Sequence, residues 1–528
     1  MNLSRLSCRV AMAAVALSCS ALADAQNFIP LDVPSPLGDK VRSLGVNERG
    51  PDGSTPLQWA VFDQDVDKVR QLIRAGADVT VSNKYGANAM QLAAEVSNQE
   101  IIRMLLDAGA DVDSPNPEGQ TALMLIARTG DVDTAEMLIK RGATVDAREG
   151  WGNQTALMWA TARKHPAMME VLIEAGADIN AVSAVRDYNA HVTAEGRAKT
   201  LDSGGLTPLM YAIRENCVAC VDLLLENDVD LEFTDPDGVS PLLLAIINTN
   251  WDISKKLIEA GADVNQWDMF GQAPLMTAVS NRKSGDMKID GYIDETDGLT
   301  IVRMLLEAGA NPNMQLFYRP AKARGGPLSR GTTPLIVAAS GADVQAIELL
   351  LQYGAEADLP QADLQTPVSA LAGARVGRAD ASMVAAQNIA LQMLLDAGAG
   401  STLDLVSSPH HLQRNRGGTP LHEAVGANNT AMVEALVKAG ADINTTDIDG
   451  LTALDYAESR GFLGFQGLRQ PPNARMAELL RSLGASKELE VTPFWPNVGP
   501  PFFYPWNIFP LDPEAELNAL VPGSIDHQ

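Results

Sequence analysis

"GGTPLHEAVGANNTAMVEALVKAGADINTTDIDG", residues 417–450, encodes two short helices separated and followed by turns. Thr419 can cap a helix with its hydroxyl, and Pro420 suits the first helical position, where no N–H is needed. Apolar side chains then recur at helical spacing, stop at a polar break, and resume. Gly440 suits the left-handed residue that ends a helix, and Gly450 closes a turn before the next Thr. The stretch therefore predicts a helix–turn–helix unit followed by an extended turn.

The same unit recurs along most of the chain. We use the helix-capping position as the phase marker, and it falls at Thr55, Asn88, Thr121, Thr155, Thr207, Ser240, Ala273, Thr333, Thr366, Thr419 and Thr452. Most of these residues are 33 positions apart, and in most units a glycine, which we call the closing glycine, follows 21 positions after the marker. One such unit cannot bury its own apolar faces, so neighbouring copies are expected to stack.

The repeated sequence unit resembles the ankyrin repeat family. The stretches GSTPLQWA, GLTPLMYA, GTTPLIVA and GGTPLHEA carry the resemblance, which covers about residues 53–486. It implies an all-α ankyrin-repeat solenoid of about eleven helix–turn–helix repeats with short β-hairpin fingers. It also implies an interaction scaffold, in which the first helices and the fingers line a concave surface that binds a protein partner.

One position departs from the family pattern. The family usually has His after Thr-Pro-Leu, and here only His422 occupies that place. The other repeats have Gln58, Gln91, Met124, Met158, Met210, Leu243, Met276, Ile336, Ser369 or Asp455. We therefore expect side-chain packing to replace the usual hydrogen bonds between repeats.

The N-terminus predicts export. Residues 1–23 combine Arg5 and Arg9 with an apolar run and small residues, which is the pattern of a secretory signal peptide. Cleavage after Ala23 or Ala25 would leave a periplasmic or secreted protein. The alanine-rich composition is typical of an exported bacterial protein. Cys19 leaves open the alternative of a lipoprotein, with a lipid attached to this cysteine. Residues 24–52 are expected to form an N-terminal cap or linker.

The C-terminal tail, residues 487–528, breaks the repeat with prolines and aromatic residues. Its composition predicts extended chain that either packs back on the last repeats or binds a partner. The whole chain carries a formal net charge of −26, which argues against nucleic acid and anionic membrane as partners. No later segment is long and apolar enough to span a membrane. The sequence does not set the oligomeric state.

Insertions interrupt the period at two kinds of place. Those at about residues 181–204, 311–330 and 400–417 lengthen the fingers of repeats four, seven and nine, and those at about 284–300, 373–386 and 462–472 separate the paired helices. The long finger of repeat seven carries a basic and aromatic patch: Phe317, Tyr318, Arg319 and Arg324. This patch is either a solvated loop or a contact for an acidic partner.

Aromatic residues share one register of the first helix: Trp59, Trp159, Tyr211 and Tyr456. The family resemblance places this register on the floor of the concave surface. Tyrosine and tryptophan are frequent interface anchors, so we expect these residues to bind the partner, with plain packing as the alternative.

No nucleophile elbow, zinc-protease motif or phosphate-binding loop occurs, so the sequence predicts neither an enzyme nor a cofactor. Cys217 and Cys220 form a C-x-x-C pair, which leaves open a disulfide, two reduced thiols or redox chemistry. The insertion at 284–300 is acidic, but its spacing is not that of an EF-hand, and we expect no metal site. The alternative function is a metal-handling or thiol-redox accessory protein of the cell envelope.

Overall fold

The computed structural model describes residues 45–185, 204–269, 271–282, 293–316, 330–374, 381–407, 418–448, 450–458 and 472–486. These residues fall into two compact units, Met1–Ala362 and Asp363–Gln528. Within the described residues every helix belongs to a consecutive helix pair, and no strand forms. The all-α repeat fold expected from the sequence is therefore confirmed.

Eight pairs lie in the described residues of the first unit. Its helices are α1 (Pro56–Phe62), α2 (Val66–Arg74), α3 (Ala89–Glu95), α4 (Gln99–Asp107), α5 (Ala122–Thr129), α6 (Val132–Lys140), α7 (Ala156–Ala162), α8 (Pro166–Glu174), α9 (Pro208–Arg214), α10 (Val218–Leu225), α11 (Pro241–Ile247), α12 (Trp251–Glu259), α13 (Pro274–Asn281), α14 (Gly298–Glu307), α15 (Pro334–Ser340) and α16 (Val344–Gln352).

The second unit contains three pairs. Its helices are α17 (Pro367–Ala372), α18 (Ala381–Asp396), α19 (Pro420–Gly426), α20 (Thr430–Lys438), α21 (Ala453–Ala457) and α22 (Ala474–Ser482), with a 3₁₀ turn at Ala399–Thr402. Helix α18 begins within the insertion expected at 373–386. Part of that insertion therefore lengthens the second helix of repeat nine instead of forming loop.

The first helix of each repeat begins where the sequence places its cap. Thr121, for example, precedes α5 in extended conformation, and its hydroxyl accepts a hydrogen bond from the backbone N–H of Met124 at 3.3 Å. Ala273 has no side chain for this bond, and α13 begins with Pro274 at a position that needs no N–H partner. The closing glycines also behave as predicted, since residues such as Gly76 and Gly142 have φ near +90°.

Packing between successive repeats forms the core. Helix α5 packs against α3 and α7, and its residues Leu123, Met124 and Ile126 have no exposed surface. Met158 and Met210, at the position of Met124 in later repeats, are also fully buried. These methionines fill the interface between repeats as the sequence predicts.

Packing does not replace the family's histidine everywhere. The side chain of Gln58 accepts a hydrogen bond from the Thr55 N–H at 2.8 Å and donates to the carbonyls of Val81 at 3.0 Å and Ala87 at 2.8 Å. His422 makes the corresponding bonds with the Thr419 N–H and the Leu451 carbonyl. The expectation that packing replaces these hydrogen bonds was therefore wrong for Gln58. Its side-chain amide has both an acceptor and donors, and they reach the same kind of backbone groups as the histidine ring does.

The described fingers of ordinary length are tight turns. In the described residues their expected hairpins reduce to single antiparallel bridges, which pair Ser82 with Asn88, Val185 with Gly204, and Thr446 with Thr452. Described fingers of ordinary length are closed by turn bonds instead, as in the first finger, where the Gly86 N–H donates to the Asn83 carbonyl at 3.0 Å. Such short turns leave no length for a strand ladder.

The predicted signal peptide and the tail at 487–528 lie outside the described residues, as does most of the 24–52 segment. Residues 45–52 are described. There Asn47 donates to the Gly76 carbonyl at 3.0 Å and accepts from the Asp78 N–H at 2.8 Å, so this segment covers the end of repeat one. Across the described residues, no helix combines the length and apolar character needed to cross a bilayer.

Candidate functional site

Neighbouring fingers of the first unit are tied to one another by main-chain hydrogen bonds. Among the described residues, an N–H of one finger donates to a carbonyl of the turn before it in five places: Lys84 to Asp52 at 3.1 Å, Gly150 to Glu118 at 2.6 Å, Ala184 to Gly152 at 2.7 Å, Met269 to Asp237 at 2.9 Å, and Ala362 to Arg330 at 2.8 Å. The backbones of the tips therefore form a fixed row before any partner arrives.

Where the first and second fingers meet, close packing serves the same purpose. Gly86 has φ of +80°, and a Cβ there would lie 2.1 Å from Cγ of Pro117. Glycine meets both requirements, since it adopts the left-handed region without strain and leaves room for the proline ring. The two tips consequently pack in direct contact.

Large apolar side chains project from this row into solvent. Four aromatic or methionine side chains of the row are more than half exposed: Tyr85 and Trp151 at 56%, and Trp267 and Met269 at 54%. Aromatic residues of this size usually bury their rings, so a rigid row that exposes them is typical of a binding surface. We call Tyr85, Trp151, Trp267 and Met269 the tip cluster.

The tip cluster was not predicted from the sequence. Binding residues were expected in the long inserted fingers and on the first helices, whereas these residues lie in fingers of ordinary length. A signal was present, because Tyr85 and Trp151 each directly precede a glycine in a turn where polar residues are the rule. Only the tertiary structure shows that the tips share one exposed row.

Two aromatic residues of the first helices are partly buried. The Trp59 ring meets Phe62 edge-on with centroids 6.1 Å apart, and the Arg128 guanidinium lies 5.8 Å from the centroid of the Trp159 ring. Both indole nitrogens are buried without an acceptor in the part of the chain that the structure describes. Trp59 and Trp159 therefore expose ring surface but no hydrogen-bonding group.

Tyr211 occupies a different environment from the one expected. It is only 5% exposed and packs in a core cluster with Met158 and Leu206. Its hydroxyl accepts a hydrogen bond from Gln154 at 2.6 Å, and Arg214 covers the ring at 4.7 Å. The expectation that Tyr211 lies on an open floor is corrected in favour of the plain-packing alternative, because the preceding repeat and Arg214 cover the ring.

Tyr456 is also held by its neighbours. Its hydroxyl donates to a carboxylate oxygen of Asp447 at 2.7 Å, and its ring meets His422 edge-on with centroids 4.9 Å apart. Burial lowers the pKa of His422, which therefore stays neutral and keeps one nitrogen as an acceptor. Phe317, Tyr318, Arg319 and Arg324 of the basic finger lie outside the described residues.

Cys217 and Cys220 are joined in a disulfide, with their Cα atoms 5.2 Å apart. Cys217 is the N-cap of α10, and its sulfur also accepts a hydrogen bond from the Cys220 N–H at 3.3 Å. Cys220 lies at the third position of the helix and is fully buried.

Carboxylates in and around the acidic insertion of repeat seven accept hydrogen bonds from backbone N–H groups, and some of these bonds join the insertion to helix α12. Asp252 of α12 accepts hydrogen bonds from the N–H groups of Glu295 at 3.0 Å and Thr296 at 2.9 Å. Asp297 caps α14 by accepting from the Thr300 N–H at 2.7 Å. In the described residues no three potential ligands converge on a metal position, while Asp286 and Asp290 lie outside them.

Comparison with known proteins places these features in a family. The family described as "Ankyrin repeats (3 copies)" matches residues 37–116, 109–183 and 209–315. The descriptions "Ankyrin repeats (many copies)" and "Ankyrin repeat" match residues 407–457 and 330–363. Together these matches cover well over half of the chain.

Curated relatives match over short stretches. The chain is similar to Notch-regulated ankyrin repeat-containing protein A of Danio rerio, with 37% identity over 51 residues, 10% of this chain and 46% of the relative. The Xenopus tropicalis protein of the same description is 36% identical over 56 residues, 11% of this chain and 49% of the relative. The Homo sapiens protein is 37% identical over 51 residues, 10% of this chain and 45% of the relative. The chain therefore spans about half the length of these relatives.

Proposed function

Because the chain belongs to the ankyrin repeat family, and arrays of this kind are scaffolds for protein–protein interaction, we propose that it is an exported scaffold that binds a protein partner through the tip cluster and the adjoining first helices. The observation that carries this proposal is the rigid row of exposed aromatic side chains. Large aromatic anchors on a fixed support bind with little loss of conformational entropy.

The first-helix aromatics extend the same surface. Trp59 and Trp159 keep part of their rings exposed. Their buried indole N–H groups have no acceptor among the described residues, so these rings offer apolar area instead of hydrogen bonds. A partner that contacts both the tips and these rings therefore needs an apolar ridge.

Charge defines the rest of the partner's chemistry. With a net charge of −26, the chain attracts cationic surfaces and repels anionic ones within the Debye screening length of the solution. The partner is therefore a protein with a basic, partly apolar surface. Its association rate falls when sodium chloride is raised from about 0.05 M to about 0.5 M, since screening removes the steering.

Export is part of the proposal, and two observations support it. Residues 1–23 have the composition of a signal peptide. The chain also holds a disulfide between Cys217 and Cys220, and disulfides persist chiefly in oxidising compartments outside the cytosol. Fractionation of cells that make the protein tests this directly, since a full-length chain confined to the cytosol would contradict export.

Site-specific crosslinking tests the binding surface. A photo-crosslinking phenylalanine analogue is placed at Trp151 or at Trp267, and the variants are mixed with cell-envelope extract. The control position is Arg103, which is exposed on the second helix α4. We expect the same basic partner at both tip positions and not at Arg103.

Substitution completes the test. The variant Tyr85→Ala with Trp151→Ala and Trp267→Ala should keep the helical circular dichroism of the parent, because these side chains are more than half exposed. It should lose partner binding by about 100-fold or more, the effect of removing several anchors. Undiminished binding, or equal crosslinking at Arg103, would contradict the proposed surface.

A further inference from the structure

The N-cap of the second helix in repeat five differs from that of most other repeats. In most described second helices this residue is an aspartate or asparagine: Asp65, Asn98, Asp131, Asn250, Asp297, Asp343, Asn429 and Asn473. In repeat five it is Cys217, and its sulfur accepts the N–H bond that a carboxylate or amide oxygen usually accepts. Sulfur is the weaker acceptor, so the cysteine does not improve the cap.

We propose that Cys217 and Cys220 form a thiol–disulfide exchange site, in which Cys217 is the sulfur attacked by an external dithiol. The proposal goes beyond partner binding and does not depend on it. It rests on the difference between the two cysteines in exposure and on the hydrogen bond to one of them.

Exposure selects the attacked sulfur. Cys217 retains 7% of its surface, whereas Cys220 retains none. Cys217 is the less deeply buried of the two residues, so a thiolate from outside reaches Cys217 more readily than Cys220. Because exchange proceeds by direct attack of a thiolate on one sulfur, access decides which sulfur reacts.

The helix stabilises the thiolate of Cys217. The Cys220 N–H points at the Cys217 sulfur across 3.3 Å, and the sulfur lies at the N-terminus of the eight-residue helix α10. Both the hydrogen bond and the partial positive charge of a helix N-terminus favour a negative sulfur. Cys217 is thus a good leaving group in the step that completes reduction.

The exchange proceeds in two steps. A thiolate of the dithiol attacks the Cys217 sulfur, the bond between the two cysteine sulfurs breaks, and Cys220 leaves with the electron pair and takes a proton from water. The second thiol of the dithiol, after losing its proton, attacks its own partner sulfur in the mixed disulfide and expels Cys217 as a thiolate. The chain gains two electrons, and the dithiol becomes a disulfide.

The repeat keeps its fold in both states. Helix α10 is held by Val221 and Leu224, which have no exposed surface, in addition to Cys220. The backbone bond from Val221 N–H to the Cys217 carbonyl, at 3.0 Å, does not involve sulfur. Opening the disulfide therefore changes the two sulfurs without removing the contacts that place the helix.

Single-cysteine variants test the proposal on the full chain. Cys220→Ser leaves Cys217, and Cys217→Ser leaves Cys220. Each folded variant is mixed with oxidised glutathione, and peptide mass spectrometry follows the mixed disulfide at that cysteine separately from Cys8 and Cys19. We expect Cys217 to react at least about 10-fold faster than Cys220, from its exposure and its stabilised thiolate.

The unsubstituted chain provides a second measurement that needs no variant to fold. The native protein is treated with dithiothreitol, alkylated with limiting iodoacetamide, and examined by peptide mass spectrometry and circular dichroism. We expect reduction without loss of helix and preferential alkylation of Cys217. A disulfide that resists dithiothreitol until urea unfolds the chain, or equal alkylation of the two cysteines, would overturn the proposal and leave an inert cross-link.

Discussion

At the scale of single residues, the ion pair between Arg282 and Asp343 is strongly buried. The Arg282 guanidinium donates to both carboxylate oxygens of Asp343, and the two side chains are only 8% and 6% exposed. Asp343 is also the N-cap of α16, so one carboxylate joins the end of repeat seven's first helix to the second helix of repeat eight. A desolvated charge of this kind is costly when its partner is lost.

Asp343→Asn isolates the charge, because asparagine keeps the cap but cannot neutralise Arg282. We expect the free energy of unfolding to fall by about 3 kcal/mol, the usual cost of leaving a buried charge without its counterion. Urea denaturation followed by circular dichroism measures it. The control is Asp107→Asn, which breaks an exposed pair with Arg141 and should cost less than about 1 kcal/mol. Equal losses in the two variants would contradict the special position of Asp343.

Glu423 gives the second unit a pH-dependent stability. Burial, reinforced by the neighbouring carboxylate of Asp363, raises the pKa of Glu423 to about 8. The pKa of a glutamate in the unfolded chain is about 4.3. Between that pH and the folded pKa, the folded state therefore keeps a proton that the unfolded chain has released. The contribution of Glu423 to stability is therefore complete below the unfolded pKa and is lost as the pH rises through the folded pKa.

Glu423→Gln removes this titration while keeping a neutral polar side chain. We expect the parent chain to lose stability between about pH 5 and pH 8, on the order of 1 kcal/mol per pH unit, and the variant to lose much less. Urea midpoints at both pH values test this. If the two chains show parallel pH profiles, the buried carboxyl is not the cause.

At the scale of elements, the hydrogen bonds between repeats depend on which residue follows the helix start. Gln58 reaches two carbonyls of the following turn segment, and it is only 2% exposed. Met158 at the same position of repeat four is fully buried and makes apolar contacts. One helix position thus supports two kinds of contact between repeats, one polar and one apolar.

Gln58→Leu distinguishes these modes. The substitution preserves approximate volume but leaves the carbonyls of Val81 and Ala87 without their donor, so we expect a loss of about 2 kcal/mol. Thermal unfolding measures the effect against Met158→Leu, a volume-conserving change that should cost less than about 1.5 kcal/mol. A smaller loss for Gln58→Leu than for Met158→Leu would show that the amide bonds add little.

The second helices show the same dependence on a single residue. Most begin with an Asp or Asn that accepts the N–H of the third helical residue, as Asp131 does for Thr134 at 3.2 Å. The residue before this cap has positive φ in many repeats, for example Ser97 at 51° and Asn428 at 57°. These turns place the second helix back against the first. They explain why a short polar segment separates the two apolar runs in each repeat.

At the scale of the whole molecule, each repeat is stabilised mainly by its immediate neighbours. Salt links between successive second helices, such as Arg70 with Glu100 at 2.7 Å and Lys256 with Asp222 at 2.7 Å, are partly exposed and add little. Burial differs more: six residues of α5 are buried but only Val69 and Leu72 in α2. Stability should therefore vary along the chain.

Hydrogen exchange measures that variation. We expect backbone amides of α5 and α7 to exchange at least about 10-fold more slowly than those of α2, because these first helices bury more of their residues than the second helix α2 does. Mass spectrometry of exchanged peptides gives the rates, with the exposed turns at the closing glycines as a fast internal reference. Uniform protection along residues 45–362 would contradict neighbour-by-neighbour stability.

The sequence by itself determined the fold class, the repeat boundaries and the helix starts, because caps, prolines, glycines and apolar spacing act within one repeat. Thr55 and Gly76 mark their positions from local chemistry alone. The tertiary structure decided which side chains are buried between repeats and which are exposed to solvent. Tyr211 is buried because the neighbouring repeat covers it, and Trp151 is exposed because stacked fingers hold it in a row. Both outcomes depend on contacts between residues far apart in the chain, which helical periodicity does not encode.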